Sequence, residues 1–468
     1  METDHSLELG REPIGKLLWK YSLPAIIAMS AMSLYNIIDR IFLGQGVNPM
    51  AISGLAISVP LMNLNIAFST LVGVGGSTLV SIRLGERAKK EANFLLGNVV
   101  LLSLIIGIAY SILALLFLDP ILRLFGASNI TLPYAHDFMQ VILLGNVVSY
   151  AYFGLNHILR ASGNPRKAML TTLITIGFNL IFAPIFIFLF HWGIRGAAFA
   201  TILSQCCGLL FLILHFQSKK NVVRFKPAAF HLRWYLVKKI FSIGSSPFLI
   251  NLCASTVAIF LNLQFTRHGG DIAIGAYGIT NGVISLFAMI ILGVTQGMQP
   301  IVGYNYGARQ MSRALRTFKY AIVAGVLVAG SGVLVGELFP HLISRAFTYD
   351  TVMIDAAARG MRIMLLLFVT AGFQIVTSNF FQAIGKVKIS IFLSLSRQLI
   401  FLVPAVLILP HFLGIDGVWA SYPVADFISF IVTFFVLRHN LKKLRHTAAI
   451  QNHISSMPNP TTHDQKPD

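Results

Sequence analysis

Charge is what this sequence has least of. Asp, Glu, Lys and Arg together make up 11% of its 468 residues, where a soluble globular chain carries about 25%. So few polar side chains cannot coat several water-soluble domains, and a hydrophobic content of 56% excludes an extended disordered chain. Acids are scarcest of all, 17 against 36 Lys plus Arg, which leaves a formal net charge of +19. Cysteine is nearly absent. Cys206, Cys207 and Cys253 all fall in apolar runs, where they read as small buried hydrophobes rather than disulfide partners or metal ligands. There is no GxxxxGK[ST] loop, no HExxH and no GxSxG, and the thirteen His show no ligand spacing. No catalytic residue, metal or cofactor is expected. Ahead of the first apolar run, near Leu17, stands no basic segment or small-residue cleavage site, so no signal peptide is expected.

What is present is long apolar runs. A membrane-spanning helix needs about 20 mostly apolar residues. Twelve such runs lie near 17–43, 51–82, 94–118, 133–158, 168–190, 194–217, 236–265, 272–304, 317–340, 353–383, 388–410 and 415–437. The expected class is an all-α polytopic membrane protein. Its expected organisation is an N-terminal segment 1–16, a first six-helix lobe 17–217, a linker 218–235, a second six-helix lobe 236–437 and a tail 438–468 that turns polar and disordered from 446. The basic excess fits this layout. If the N-terminus is cytoplasmic, 28 Lys and Arg fall on the inner side, 4 on the outer side and 4 (Arg40, Arg359, Arg362, Arg397) within spans. That asymmetry is the positive-inside pattern, and it puts both termini in the cytoplasm. No nucleic-acid partner is needed to explain the charge.

The sequence also repeats. At an offset of 222, Gly75 meets Gly297, Gly85 meets Gly307, Arg87 meets Arg309, Ala161 meets Ala383 and Gly163 meets Gly385; one residue of slippage later, Gly193 and Gly196 meet Gly414 and Gly417. An ordered series of this kind marks an internal duplication. Six helices per half gives both halves one orientation, related by a pseudo-two-fold axis along the membrane normal, with a site near the midplane between them and alternating access by rocking.

An ionisable side chain inside a span costs at least about 2.5–3.5 kcal/mol and is a functional candidate by default. Two acids qualify. Asp39 lies about 6 Å below the outer edge of the first span at 1.5 Å per residue. Tyr35 and Asn36 sit one turn earlier on the same face, with Met32 and Met29 below them. Asp39 reads either as an acid snorkelling beside Arg40 or as a carboxylate that takes a proton or Na⁺. Asp426 falls near the midplane of the last span and Arg397 at matching depth in the span before it, so the two can pair. That pair is either structural or part of a charge relay. Met32, Tyr35, Asn36 and Asp426 are candidates for lining a substrate cavity. Pro24 is a candidate kink in the helix that carries Asp39. Arg160 is assigned to the cytoplasmic loop after the fourth span, which leaves Arg397 as the sole midplane base.

Three stretches carry a family resemblance. Tyr35-Asn36-Ile37-Ile38-Asp39-Arg40-Ile41-Phe42-Leu43-Gly44, followed by Gly54-Leu55-Ala56 and Pro60, resembles the multidrug and toxic compound extrusion (MATE) transporters. So do Gln299-Pro300-Ile301-Val302-Gly303-Tyr304-Asn305-Tyr306-Gly307-Ala308 and Phe381-Gln382-Ala383-Ile384-Gly385. The resemblance spans roughly residues 13–440 and is closest to the MepA-like branch. It implies a plasma-membrane (cytoplasmic or inner membrane) multidrug efflux antiporter, monomeric, whose partners are the lipid bilayer, a small-molecule xenobiotic and a coupling cation. The xenobiotic would be organic, cationic and amphipathic, and the coupling ion H⁺ or Na⁺. The family's cation site maps onto Asp39, Asn179 and Thr201. A second Asp that relatives often carry four residues after the Asn is Ala183 here, which tilts the coupling toward protons. The acids of some relatives in the seventh and tenth helices are replaced by Ser255-Thr256 and Phe373-Gln374. A lipid-linked precursor flippase of the same superfamily is the alternative, and a membrane-embedded enzyme or receptor a more distant one.

Overall fold

The computed structural model describes residues 7–46, 49–125, 127, 129–347 and 349–456, with the side chains at 36, 37, 39–41, 43–46, 49–56, 271 and 445–456 outside the description. Its long helices are α1 Ile14–Gly46, α2 Pro49–Gly85, α3 Lys89–Leu116, α4 Leu132–Ala161, α5 Pro165–Leu189 and α6 Gly193–Gln217 in the first half. The second half holds α7 Trp234–Gly270, α8 Ile272–Gly307, α9 Met311–Leu338, α10 (Thr351–Leu365 joined to Phe368–Ala383), α11 Val387–Leu413 and α12 Ile415–Ser456. With the two parts of α10 counted as one span, the described residues hold twelve helices apolar and long enough to cross a bilayer. The fold is all-α in two six-helix bundles.

The duplication is written in the backbone. Arg87 and Arg309, 222 residues apart, are both left-handed at φ +59° and +57°. Gly163 and Gly385 share the property at +96° and +74°, and Gly193 and Gly414 at +55° and +57°. Left-handed backbone is rare for a residue with a Cβ, so its recurrence at two arginines in equivalent turns is strong evidence for two copies of one chain path.

Small residues let the halves meet. A Cβ on Gly75 of α2 would lie 2.2 Å from the carbonyl oxygen of Ile240 in α7, and one on Gly244 of α7 only 1.8 Å from that of Leu71 in α2. The pseudo-symmetric contact is Gly297 of α8, whose Cβ would lie 2.6 Å from the Ser22 backbone of α1. Where the axis runs between α2 and α8, Gly85 would strike Tyr304 and Gly307 would strike Ile82, at 1.9 and 2.0 Å from their carbonyl oxygens. These contacts lie in the end of the bundle that holds both termini. There Asn305 Nδ2 also donates to the Leu9 carbonyl at 2.9 Å and Arg313 to that of Glu12 at 2.7 Å.

Local structure departs from a plain reading of the apolar runs in four places. α10 bends by 52° between Leu365 and Phe368, with no Pro or Gly at the break to announce it. α5 and α11 each contain a π-helical stretch, Ile185–Leu189 directly after Pro184 and Ser396–Leu402 around Arg397. α12 continues to Ser456, through residues read as disordered, because no helix breaker intervenes before Pro458. The polar stretch 218–235 is strapped to α3: Asn93 Oδ1 accepts from the Arg224 amide at 2.7 Å, Asn98 Oδ1 from the Arg233 amide at 2.9 Å, and the Arg233 guanidinium sits 3.4 Å over the Phe94 ring. Cys253 is buried and Cys206 and Cys207 are partly exposed, all three as free thiols.

The glycine seam generates a prediction. Gly75→Ala and Gly297→Ala each push a methyl into backbone, at the about 1–3 kcal/mol typical of overpacking. Thermal unfolding in detergent should fall by several degrees in either variant, while Gly177→Ala, whose Cβ has open space around it, should leave the midpoint in place.

Candidate functional site

A cavity of about 130 Å³ lies inside the first half and reaches α8 of the second. At one end Thr201 of α6 organises a polar knot. Its hydroxyl donates to the Ala197 carbonyl one turn earlier, at 3.1 Å. With that proton committed, its oxygen accepts from Asn179 Nδ2 of α5 at 3.2 Å and from the Tyr35 hydroxyl of α1 at 3.3 Å. Three helices converge on one hydroxyl. Asn179 Oδ1 is buried and has no hydrogen-bond partner among the described residues, an acceptor left open in the cavity wall. Ala183 follows one turn later and is fully buried, so no second carboxylate joins the knot.

Of the residues assigned to a cation site, Asn179 and Thr201 are therefore in direct contact, and Tyr35 and Met32 line the same cavity. Asp39 lies on α1 one turn beyond Tyr35, but its side chain, like that of Asn36, lies outside the described residues. Pro24 sits within α1, which stays helical through it.

The other end of this cavity corrects the sequence reading. Arg160 is not in a loop. α4 runs on to Ala161, and Arg160 is 9% exposed on the cavity wall beside His157. Its Nη1 donates to Gln296 Oε1 of α8, across the two halves, and Gln296 Nε2 reaches the Met29 sulfur of α1 at 3.4 Å. The apolar run of the fourth helix ends at 158, and the last turn is buried among residues of its own half, Ser77, Thr78 and Ser81, and of the opposite half, Gln296, Gln299 and Pro300. Composition along one helix carries no sign of that.

A second cavity, about 280 Å³, lies in the second half. Arg397 Nε donates to Asp426 Oδ1 at 2.6 Å, and Asp426 is 3% exposed. Beside them Tyr422 and Tyr277 join hydroxyls at 3.2 Å, and Gln398 Oε1 has no partner. The pair expected from matching depth is thus formed, and Asp426 faces this cavity rather than the one with Met32 and Tyr35. Through the repeat offsets of 222 and 221, Arg397, Tyr422 and Asp426 correspond to Thr175, Thr201 and Gln205, which all line the first cavity. One fold builds the hollow twice, with hydroxyls and an amide in one copy and an ion pair in the other. A larger hollow, about 770 Å³, is a surface cleft at the loops after α2 and α8.

The MatE family profile matches residues 24–185 and 247–407, one match in each half. The chain belongs to the MatE family. Among curated proteins it is 26% identical over 424 residues to the multidrug export protein MepA of Staphylococcus haemolyticus, covering 91% of this chain and 93% of that one. The MepA of Staphylococcus aureus strain MRSA252 is 25% identical over 428 residues, covering 91% and 94%. Among solved structures, the outward-facing conformation of a multidrug resistance MATE family transporter of the MOP superfamily superposes with a TM-score of 0.89 at 28% identity, covering 94% of this chain and 99% of that one. The chain is a multi-span membrane protein of a multidrug efflux family, and its named relatives are transporters.

Removing one partner of a buried pair costs about 3–5 kcal/mol, whereas replacing both by apolar groups is often neutral. Asp426→Asn should therefore lower the unfolding midpoint strongly, and Arg397→Met combined with Asp426→Leu should recover most of the loss. A double variant as unstable as Asp426→Asn would show that the charges themselves, and not their balance, hold α11 to α12.

Proposed function

We propose that this chain is a monomeric secondary antiporter that exports amphipathic organic compounds bearing a cationic group, in exchange for H⁺ or Na⁺. The observation that carries the proposal is the unpartnered Asn179 Oδ1 beside the Thr201–Tyr35 knot. An open carbonyl acceptor and two hydroxyl oxygens, on three helices and one turn along α1 from Asp39, supply oxygens for a proton-bearing group or a small cation. Asp39 supplies the charge that titrates or recruits the cation. With Ala183 in place of a second acid, a proton suits the single carboxylate better than Na⁺ does. Without a nucleotide loop, transport runs on an ion gradient or is passive, and the single carboxylate at Asp39 favours the gradient. Names borne by the relatives, multidrug export protein among them, support the exporter reading.

The 28-to-4 distribution of basic residues supports cytoplasmic termini. On that orientation the glycine seam closes the cytoplasmic end, and the conformation is outward-facing, as its structural neighbour is described to be. Rocking the halves apart at the seam exposes the first cavity to the cytoplasm. The flippase alternative requires several cations for a lipid diphosphate. Arg397 is neutralised by Asp426, and Arg160 is one guanidinium, so it fits less well.

Purified protein in vesicles should expel a cationic dye when a pH gradient is imposed, and less so under a Na⁺ gradient. Asp39→Asn should abolish gradient-driven export while expression persists, and wild-type rates in it would sink the coupling role. Asn179→Leu should slow export about tenfold, the effect of one lost polar contact worth about 1.4 kcal/mol. No movement under either gradient would refute antiport.

A further inference from the structure

Arg160 is a buried base without an acid. Among the described residues no carboxylate lies within ion-pairing distance of it, while other acids are engaged elsewhere. Glu86 and Glu91 pair with Arg83, Asp137 with Arg195, Asp416 with Arg359 and Asp426 with Arg397. A guanidinium carries five donor hydrogens, and among the described residues the acceptor that Arg160 meets is Gln296 Oε1. The same fold shows how a structural arginine is satisfied. Arg313 donates to Asn305 Oδ1 and to the carbonyls of Leu9 and Glu12, and Arg397 has its carboxylate. Arg160 has neither arrangement.

The repeat shows that the position does not require a charge. At the offset of 222 the equivalent of Arg160 is Gln382, buried at 3% at the end of α10 and followed, as Arg160 is, by a left-handed glycine three residues on. A neutral amide fills that place in one half, so packing and turn formation do not explain the guanidinium in the other. A charge buried within the protein at 9% exposure, at the cost of its desolvation, is a candidate binding group. Here it faces a cavity, and among the described residues one acceptor, Gln296 Oε1, is bonded to it.

We infer that Arg160 anchors an acidic group on the transported compound, so that the cavity takes amphipathic compounds bearing a carboxylate at the end away from Tyr35, Asn179 and Thr201. This rests on the exporter reading and names a substrate feature for it. A carboxylate matches the guanidinium fork in two parallel hydrogen bonds. Gln296 holds the fork in place from the opposite half, so the anchor is assembled only while the halves are together at α4 and α8. A compound with a basic and an acidic end would span the cavity from the α1 side to Arg160.

The test uses a matched pair of dyes: rhodamine 110, which carries a free carboxylate, and its methyl ester rhodamine 123, with the same chromophore. Fluorescence polarisation on the purified full-length protein reads the Kd for each. Wild-type protein should bind the acid at least as tightly as the ester. Arg160→Gln should shift the acid-to-ester ratio of Kd about tenfold toward the ester, and Arg160→Lys should keep more than half of the wild-type preference on a logarithmic scale. A ratio that is the same in wild type and Arg160→Gln overturns the proposal, as does a wild-type preference for the ester. If Arg160→Gln does not fold, the wild-type ratio and its value in Arg160→Lys still decide. Equilibrium binding needs no gradient, so failure of export in vesicles would refute the exporter reading alone, and an unchanged ratio the anchor alone.

Discussion

Everything else in this molecule depends on how closely its two halves approach at one end. The backbones of α2 and α7, α1 and α8, and α2 and α8 come so near that a single methyl on Gly75, Gly244, Gly297, Gly85 or Gly307 would overlap main-chain atoms. In a bilayer, burial from water drives little helix association, and close packing between small residues takes its place. The seam is charge-poor in its middle, and its cross-half hydrogen bonds include Ser22 to the Val294 carbonyl and Asn63 to Ser255 besides those near the terminal segment and at Gln296. Such an interface is tight when closed and leaves few orphaned polar groups when opened. That suits two rigid bundles that rock. The pseudo-two-fold makes each contact serve twice, so one glycine spacing in the ancestral half sufficed to build both sides.

Scarcity of charge gives each buried ionisable group a separate solution. Arg397 and Asp426 neutralise one another between α11 and α12. Arg313 spreads its donors over carbonyls near the chain's N-terminal segment. Arg160 takes one amide oxygen and keeps the rest of its capacity facing a cavity. The first is balanced in charge and the second in hydrogen bonds to carbonyls and an amide. The third is open, and so is Asn179 Oδ1 at the far end of the same hollow.

Much of the frame was legible in the residues. Apolar run length gave the helices, and the offset of 222 gave two halves whose left-handed turns coincide at Arg87 with Arg309 and Gly163 with Gly385. Depth counting placed Arg397 opposite Asp426, and the family resemblance brought Asn179 and Thr201 together. What stayed hidden had no one-dimensional signal. Arg160 looks like any cytoplasmic arginine, because the groups that bury it come from other helices, among them Gln296 of α8, 136 residues away in sequence. The bend in α10 has no Pro or Gly at the break, and the π-helical turn at Arg397 precedes Pro404 by several residues. The helical tail to Ser456 was masked by polar composition, which reports solvation and not backbone conformation.

The two cavities show what duplication does and does not conserve. Position is retained: Thr175, Thr201 and Gln205 in one half stand where Arg397, Tyr422 and Asp426 stand in the other. Electrostatics is not. The second hollow satisfies its own charges, so a ligand entering it must compete with an ion pair already formed at 2.6 Å. Among the described residues, the first has an acceptor without a donor, Asn179 Oδ1, and a base without an acid, Arg160. Binding energy is available where native groups are unsatisfied, since a ligand there restores hydrogen bonds that folding gave up. The frame is symmetric, while its buried charge is paired in one half and, among the described residues, without an acid in the other.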